Sequence, residues 1–157
     1  MEIRLLNKND IVNNDKKVKE LIEENLKLSL TNIGELSKLA KETYGNLLEF
    51  IDDNSAILVG TIKENEIIGF IWAYKKDFHG EARIHISHII VDSKIRSAGI
   101  GKKMLDLLED IALENKVKKL ELIATAANER TLKFYEKNNF QIARLQFEKE
   151  LGDLNEN

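Results

Sequence analysis

The feature that most constrains this chain is a switch of hydrophobic period in its second half. Residues 82–91 read as a β-strand, and a helical stripe follows: Ile100, Met104, Leu107, Leu108 and Ile111 fall on one face, opposite Lys103, Asp106, Asp110 and Glu114. Residues 118–124, where Leu120 and Leu122 alternate with Lys119 and Glu121, return to strand. Strand, helix, strand in this order is a βαβ unit, so the two strands should lie parallel with a right-handed crossover.

The rest of the chain is read around that unit. Ile3 and Leu5 alternate with Glu2 and Arg4 as a first strand, and the Asn/Asp/Lys-rich stretch 7–17 breaks the pattern. Val18, Leu21, Ile22 and Leu26 predict one helix. Ile33, Leu36, Ala40, Tyr44, Leu47 and Ile51 predict a second, capped at Thr31 or Asn32 and weakened by Gly45. After the turn cluster 52–55, residues 57–62 and 67–74 read as a hairpin, and a polar connection, 75–81, leads into 82–91 as the third strand of an antiparallel meander. A short helix over 128–138 and a final strand or hairpin over 140–151 complete the expectation.

With 157 residues, 43% hydrophobic and 32% charged, the chain reads as a single domain, 1–157, with a sizeable core and no membrane segment. Its start lacks the basic and apolar regions of a secretory signal, which makes the cytoplasm the expected compartment. Zero cysteines exclude a disulfide, a Cys-ligated zinc and a Cys nucleophile. The three histidines have no carboxylate spacing that suggests a metal, so none is expected. A net charge of −3 and lysines interrupted by acidic residues argue against nucleic acid as a partner.

The chemistry concentrates where the central strand meets the long helix, in Arg96-Ser97-Ala98-Gly99-Ile100-Gly101-Lys102. Glycines at a helix start let a ligand approach the backbone, and the unpaired N–H groups of the first turn, with the helix dipole, favour phosphate oxygens. The spacing is neither a P-loop nor a dinucleotide fingerprint; it is R-x-x-G-x-G.

That motif after a Val-ended strand, followed by Asn128 beyond the next strand and by Tyr135, resembles the GCN5-related N-acetyltransferase (GNAT) family. Its N-x-x-A-x-x-x-Y-x-x-x-G-F segment is similar to the run from Asn128 to Phe140, with Thr131 in place of Ala and Asn139 in place of Gly; Ser93 stands where many members have Pro. The resemblance implies an α/β fold (mixed α+β) with a twisted mixed sheet, flanked by helices and splayed between its fourth and fifth strands, and a bulge in strand 82–91. It also implies acetyl-CoA as co-substrate. The backbone of Ile89, Ile90 and Val91 would pair with the pantetheine arm, Arg96, Ser97, Ala98, Gly99, Ile100, Gly101 and Lys102 would cradle the pyrophosphate, and Asn128 and Phe134 would add contacts.

Acyl transfer to an amine needs a base for the ammonium proton and a donor for the departing thiolate. His85 and Ser87 share one strand face, whereas His88 falls with the isoleucines unless a bulge reverses the phase. His85 is the candidate base, His88 is read as structural, and His79 has no evident partner. The resemblance makes Tyr135 the candidate donor. The expected activity is transfer of acetyl to a primary amine, on a small molecule or on a protein or peptide, by direct attack in a ternary complex. The alternative is a catalytically silent acyl-CoA-binding or sensing module. The acceptor is not legible, and oligomeric state, including a homodimer, is left open.

Overall fold

The computed structural model describes residues 1–29 and 34–152, with 29 and 96–98 described by their backbone alone. Its contacts divide the chain into two compact units, Met1–Thr125 and Ala126–Asn157.

In the first unit, β1 (Glu2–Leu5) leads into helices α1 (Lys8–Asn13), α2 (Asp15–Ser29) and α3 (Leu36–Asp52). Strands β2 (Ala56–Lys63), β3 (Glu66–Phe78) and β4 (Glu81–Val91) follow, then α4 (Ile100–Glu114) and β5 (Leu120–Glu121). The strands lie side by side in chain order, β1 to β4 antiparallel and β4 to β5 parallel, which gives the expected mixed α/β sheet flanked by helices.

The polar stretch 7–17 does not stay irregular. The Asn7 side chain accepts from the Asp10 N–H at 3.0 Å while the Asp10 carboxylate accepts from the Asn7 N–H at 2.8 Å, a reciprocal cap that starts α1. Arg4 grips the same carboxylate with two bonds of 2.8 and 2.9 Å. The short helix so fixed delivers Ile11 fully into the core. The cap expected at Thr31 or Asn32 lies outside the described residues. Helix α3 is described from Leu36, after Glu35, which makes no side-chain cap bond, and it runs unbroken through Gly45.

The 75–81 connection also departs from expectation. Strand β3 continues to Phe78 and β4 begins at Glu81, so the reversal is only His79 and Gly80, with φ of 51° and 85°. Two left-handed residues supply the twist that a tight hairpin needs, which releases the flanking polar residues to pair as strand.

One sheet face packs on the first helices: Ile11, Val18, Leu21, Ile22, Ala40, Tyr44 and Leu47 cluster with Leu58, Ile67, Phe70, Trp72 and Ile90. The alternate residues Val59, Ile71, Ala73, Ile84 and Ile86 are also buried, as are Ile100, Met104, Leu105 and Leu108 of α4, whose helix contacts β2, β3 and β4. A Cβ at Gly69 would come within 3.0 Å of the Ile90 carbonyl and 3.4 Å of the Met104 side chain of α4, so the close approach of β4 and α4 favours glycine here. Among the described residues no helix is long and apolar enough to cross a membrane.

In the second unit, α5 (Glu129–Lys137) is a nine-residue helix. The strand or hairpin expected over 140–151 is not there: residues 140–152 have no regular structure, and Ile142, Leu145, Phe147 and Leu151 are exposed. Alternation alone does not make a strand, because the backbone groups of an extended segment need a neighbouring ladder, and among the described residues no strand pairs with these. For the same reason the strand expected over 118–124 shrinks to Leu120–Glu121, the only residues in register with β4.

Candidate active site

Strand β4 carries the candidate base and leads, past a defect, to the candidate cradle beyond its C-terminal end. Ile86 stands opposite Ala73 and His88 opposite Trp72, so Ser87 is an extra residue without a partner in the β3 register. This is the bulge that the resemblance implied. It reverses the side-chain phase, so His85 and His88 lie on the same face, alongside Tyr74 and Trp72, and His88 leaves the face of Ile84 and Ile86 while keeping that of Ile90. His88 stacks on Trp72 with ring centroids 5.2 Å apart, and burial holds its pKa below the ordinary histidine value, which fits a neutral packing residue.

His85 occupies a different environment. It sits in a cross-strand row of three, with Tyr74 on β3 and Glu121 on β5. Its Nδ1 is 2.7 Å from Glu121 Oε2, and its ring lies 5.3 Å from that of Tyr74. Glu121 also faces Arg83 at 3.4 Å and Lys76 at 3.7 Å. Burial alone would raise the Glu121 pKa, but the His85 hydrogen bond and the charges of Lys76, His85 and Arg83 together hold it below the usual carboxylate value. The sequence placed Glu121 on the polar side of its strand without assigning it a partner, because alternation gives the face but not the register of a parallel pair.

The row His85–Glu121 is also the last rung of the β4–β5 ladder. From Ile86 to Ile90, β4 has no register partner on β5 among the described residues, although β3 pairs with it on the other side through Val91. Ile90 is buried in the core and Ile89 is half-buried, so these residues combine packed side chains with a backbone edge beyond the end of the ladder.

Beyond Val91 the chain is fastened before it turns. Asp92 is only 7% exposed; its N–H donates to the Ile68 carbonyl, and its carboxylate accepts from the Lys94 N–H at 3.1 Å and from Lys17 of α2 at 2.6 Å. A 3-10 turn, Ser93–Ala98, follows, which contains the backbone of Arg96, Ser97 and Ala98. Gly99 ends it at φ 70° and begins α4 without any side-chain cap bond. Helix α3 also lacks a side-chain cap; what distinguishes α4 is a cap residue with no side chain, held left-handed, with no heavy atom of the described residues within 4 Å of where a Cβ would stand. A helix start whose cap residue offers its first-turn N–H groups no side chain suits an anionic ligand such as a pyrophosphate. Ile100 and Gly101 are buried, and the exposed Lys102 pairs with Asp106 at 2.9 Å.

The remaining candidates belong to the second unit. Asn128 caps α5, its side chain accepting from the Thr131 N–H at 3.3 Å. The Tyr135 ring is edge-on to Phe134 and Phe140, each 5.4 Å away, and burial pushes its pKa up to about 12. His79, in the hairpin turn, rests edge-on against Phe78. Among the described residues no group of three or more His, Cys, Asp or Glu is placed to hold a metal.

Comparisons with known proteins point one way. Residues 21–140 match the model of the acetyltransferase (GNAT) family. A mycothiol acetyltransferase of Propionibacterium freudenreichii subsp. shermanii is 28% identical over 90 residues, 57% of this chain; the chain spans 29% of that protein's length and 48% of the other curated relative it matches. An aminoglycoside acetyltransferase from an uncultured soil metagenomic sample superposes with a TM-score of 0.70 at 19% identity, covering 96% of both chains. A ribosomal-protein-alanine N-acetyltransferase from Brucella melitensis biovar Abortus 2308 does so with a TM-score of 0.68 at 21% identity, covering 96% of this chain and 100% of that one. These two share the fold. The family match spans both the βαβ unit with its glycine turn and the segment from Asn128 to Phe140, and on that match the chain belongs to the GNAT acetyltransferase family.

Proposed function

We propose that this chain is an N-acetyltransferase that transfers acetyl from acetyl-CoA to the primary amine of a small molecule or a peptide, within one complex that holds both substrates. The observation that carries this reading is the course of β4, whose register with β5 among the described residues ends at His85–Glu121 while the strand itself runs on through Val91 toward the glycine start of α4. Acetyl-CoA supplies the activated thioester, and the protein's own groups do the rest. The first-turn N–H groups from Gly99 to Lys102 bind the pyrophosphate, assisted by the turn that contains Arg96, Ser97 and Ala98, and the backbone of Ile89, Ile90 and Val91 pairs with the pantetheine amides. Asn128 and Phe134 add cofactor contacts.

His85 accepts the proton that the amine loses as its nitrogen bonds to the acetyl carbon. Tyr135 donates its phenolic proton to sulfur as the carbon–sulfur bond breaks, a role open to any phenol, whose O–H is a donor at neutral pH. With no cysteine in the chain, an acetyl-cysteine intermediate is excluded and attack is direct. Residues 1–157 act as one catalytic domain, and the compartment is the cytoplasm.

Amine acceptors fit the names of the similar proteins, which span mycothiol, aminoglycoside and ribosomal-protein acetyltransferases. The test is CoA release from acetyl-CoA with amino acids, polyamines, aminoglycosides and peptide N-termini as acceptors. Release that depends on one class of amine supports the enzyme. Tight CoA binding with no turnover on any class would instead mark a silent acyl-CoA sensor.

A further inference from the structure

We propose that Glu121 is a positioning residue for this reaction: it holds His85 through Nδ1, so that Nε2 carries the lone pair offered to the amine proton. The inference rests on the reading of His85 as base. A carboxylate only accepts hydrogen bonds, so an ionised Glu121 at 2.7 Å requires the hydrogen to be on Nδ1, and a neutral imidazole with hydrogen there has its acceptor at Nε2.

The surroundings keep the carboxylate in its acceptor form. Lys76 from β3 and Arg83 from β4 both face it, at 3.7 and 3.4 Å. Arg83 is itself steadied by Glu81 at 2.8 Å and by the face of Phe78, and Glu81 is shared with Lys119 at 3.3 Å. Tyr74 flanks the imidazole from β3. The charged groups around the pair are therefore Lys76, Arg83 and Lys119 against Glu81 and Glu121. With two cations on Glu121, taking the imidazole proton would cost it both ion pairs, so the carboxylate orients the ring and leaves the proton where it is. Position matters as well: His85–Glu121 is the last rung of the β4–β5 ladder among the described residues, where the backbone is still fixed by pairing on both sides of β4.

The decisive measurement is the nitrogen NMR spectrum of the His85 ring, which needs no substrate. The expected result is hydrogen on Nδ1 in the parent protein at neutral pH and a mixture of tautomers in Glu121→Ala. Hydrogen on Nε2 in the parent would overturn the proposal. Kinetics supply the second arm, using the amine found in the acceptor screen and circular dichroism to confirm folding. Glu121→Ala should lower kcat at least about tenfold with CoA affinity unchanged, and Glu121→Gln, whose amide oxygen can still accept from Nδ1, should recover part of that loss.

In a His85→Ala background the Glu121 substitutions should have no further effect on kcat, whereas equal losses in both backgrounds would mean a merely structural role and overturn the assignment. Parent-like turnover in His85→Ala would overturn the base reading itself, and Glu121's role with it. That failure is distinguishable, because the parent's tautomer would still be as expected.

Discussion

Helices α4 and α5 both follow a parallel-type strand segment and both begin in motifs that the sequence singles out, yet they begin in opposite ways. Helix α5 starts with Asn128, whose side chain satisfies one of the helix's own first-turn N–H groups. Helix α4 starts with Gly99, which has no side chain to offer and makes no cap bond. A helix that caps itself has used up part of its capacity for anions, and one that does not leaves that capacity for a ligand. The difference separates a start that stabilises its own helix from the one proposed to bind the pyrophosphate.

The largest expected effect tests the open start. At Gly99 the left-handed backbone strains any side chain, least for Asp and Asn, and a Cβ would meet no atom of the described residues within 4 Å, so these two substitutions differ chiefly in charge. Gly99→Asp should weaken CoA binding by at least about 10²-fold through like charge against the pyrophosphate, while Gly99→Asn, of the same shape, should lose far less. Calorimetry with both variants decides it. Equal affinities in the two would show that charge at this position is irrelevant and that the phosphates bind elsewhere.

Next in size is Tyr135, the proton donor proposed in the second unit. Tyr135→Phe keeps the ring contacts with Phe134 and Phe140 and removes the proton, so kcat should fall about 10²-fold with folding and CoA affinity retained. A kcat within about twofold of the parent would assign Tyr135 to packing. The raised pKa also gives a sign. The native phenol holds its proton to about 12, whereas the unfolded one releases it near 10, so this contribution to stability is complete below pH 10 and is lost as pH rises through the native value.

How much of this was legible in the sequence depends on whether the governing interaction was local. The strand–glycine–helix switch at 91–101 was readable because period, breaker and motif all lie within one stretch of chain. The bulge at Ser87 came from the family resemblance, and its consequence for His88 could only be stated conditionally, since one extra residue in a strand leaves no trace in composition. The Asn7–Asp10 box was a missed local signal: Asn-x-x-Asp before an apolar residue is a cap, but the surrounding lysines and asparagines made the segment look like a break. Glu121 and the Lys17–Asp92 pair were not readable at all, because each depends on which strand or helix lies alongside which. The strand expected over 140–151 failed for the converse reason, alternation without a partner.

Lys17–Asp92 supplies a third test, at the turn that precedes the open helix start. The Lys17 hydrogen bond, with help from the Lys94 N–H and the nearby positive charges, outweighs burial and holds Asp92 below its ordinary carboxylate range. The unfolded chain then takes up this proton at higher pH than the native one, so the contribution to stability is present above about pH 3.9 and is lost as pH falls through the native value. Asp92→Asn keeps an acceptor for the Lys94 N–H but loses the charge facing Lys17, and should cost about 2 kcal/mol at neutral pH, the scale of a hydrogen bond to a charged group. Urea denaturation at pH 7 and pH 3 should find the gap between variant and parent narrowed at pH 3. A gap independent of pH would mean that the ion pair contributes nothing as a charge.

The smallest expected effect tests the closed start. Helix α5 has nine residues, none of them fully buried, so little packing holds it and its cap matters in proportion. Asn128→Ala should cost about 1 kcal/mol, felt locally as faster hydrogen exchange of the α5 amides, whereas Asn128→Ser, which can still accept from the Thr131 N–H, should restore most of the protection. The serine variant also asks whether this start has a second role, because the helix remains capped while the carboxamide is gone. Unchanged CoA affinity in Asn128→Ser would make Asn128 a cap and nothing more, leaving α4 alone as the start that holds the ligand. A weaker affinity with α5 still protected would show that the amide reaches the cofactor as well, and the contrast between a stabilising start and a binding one would no longer hold.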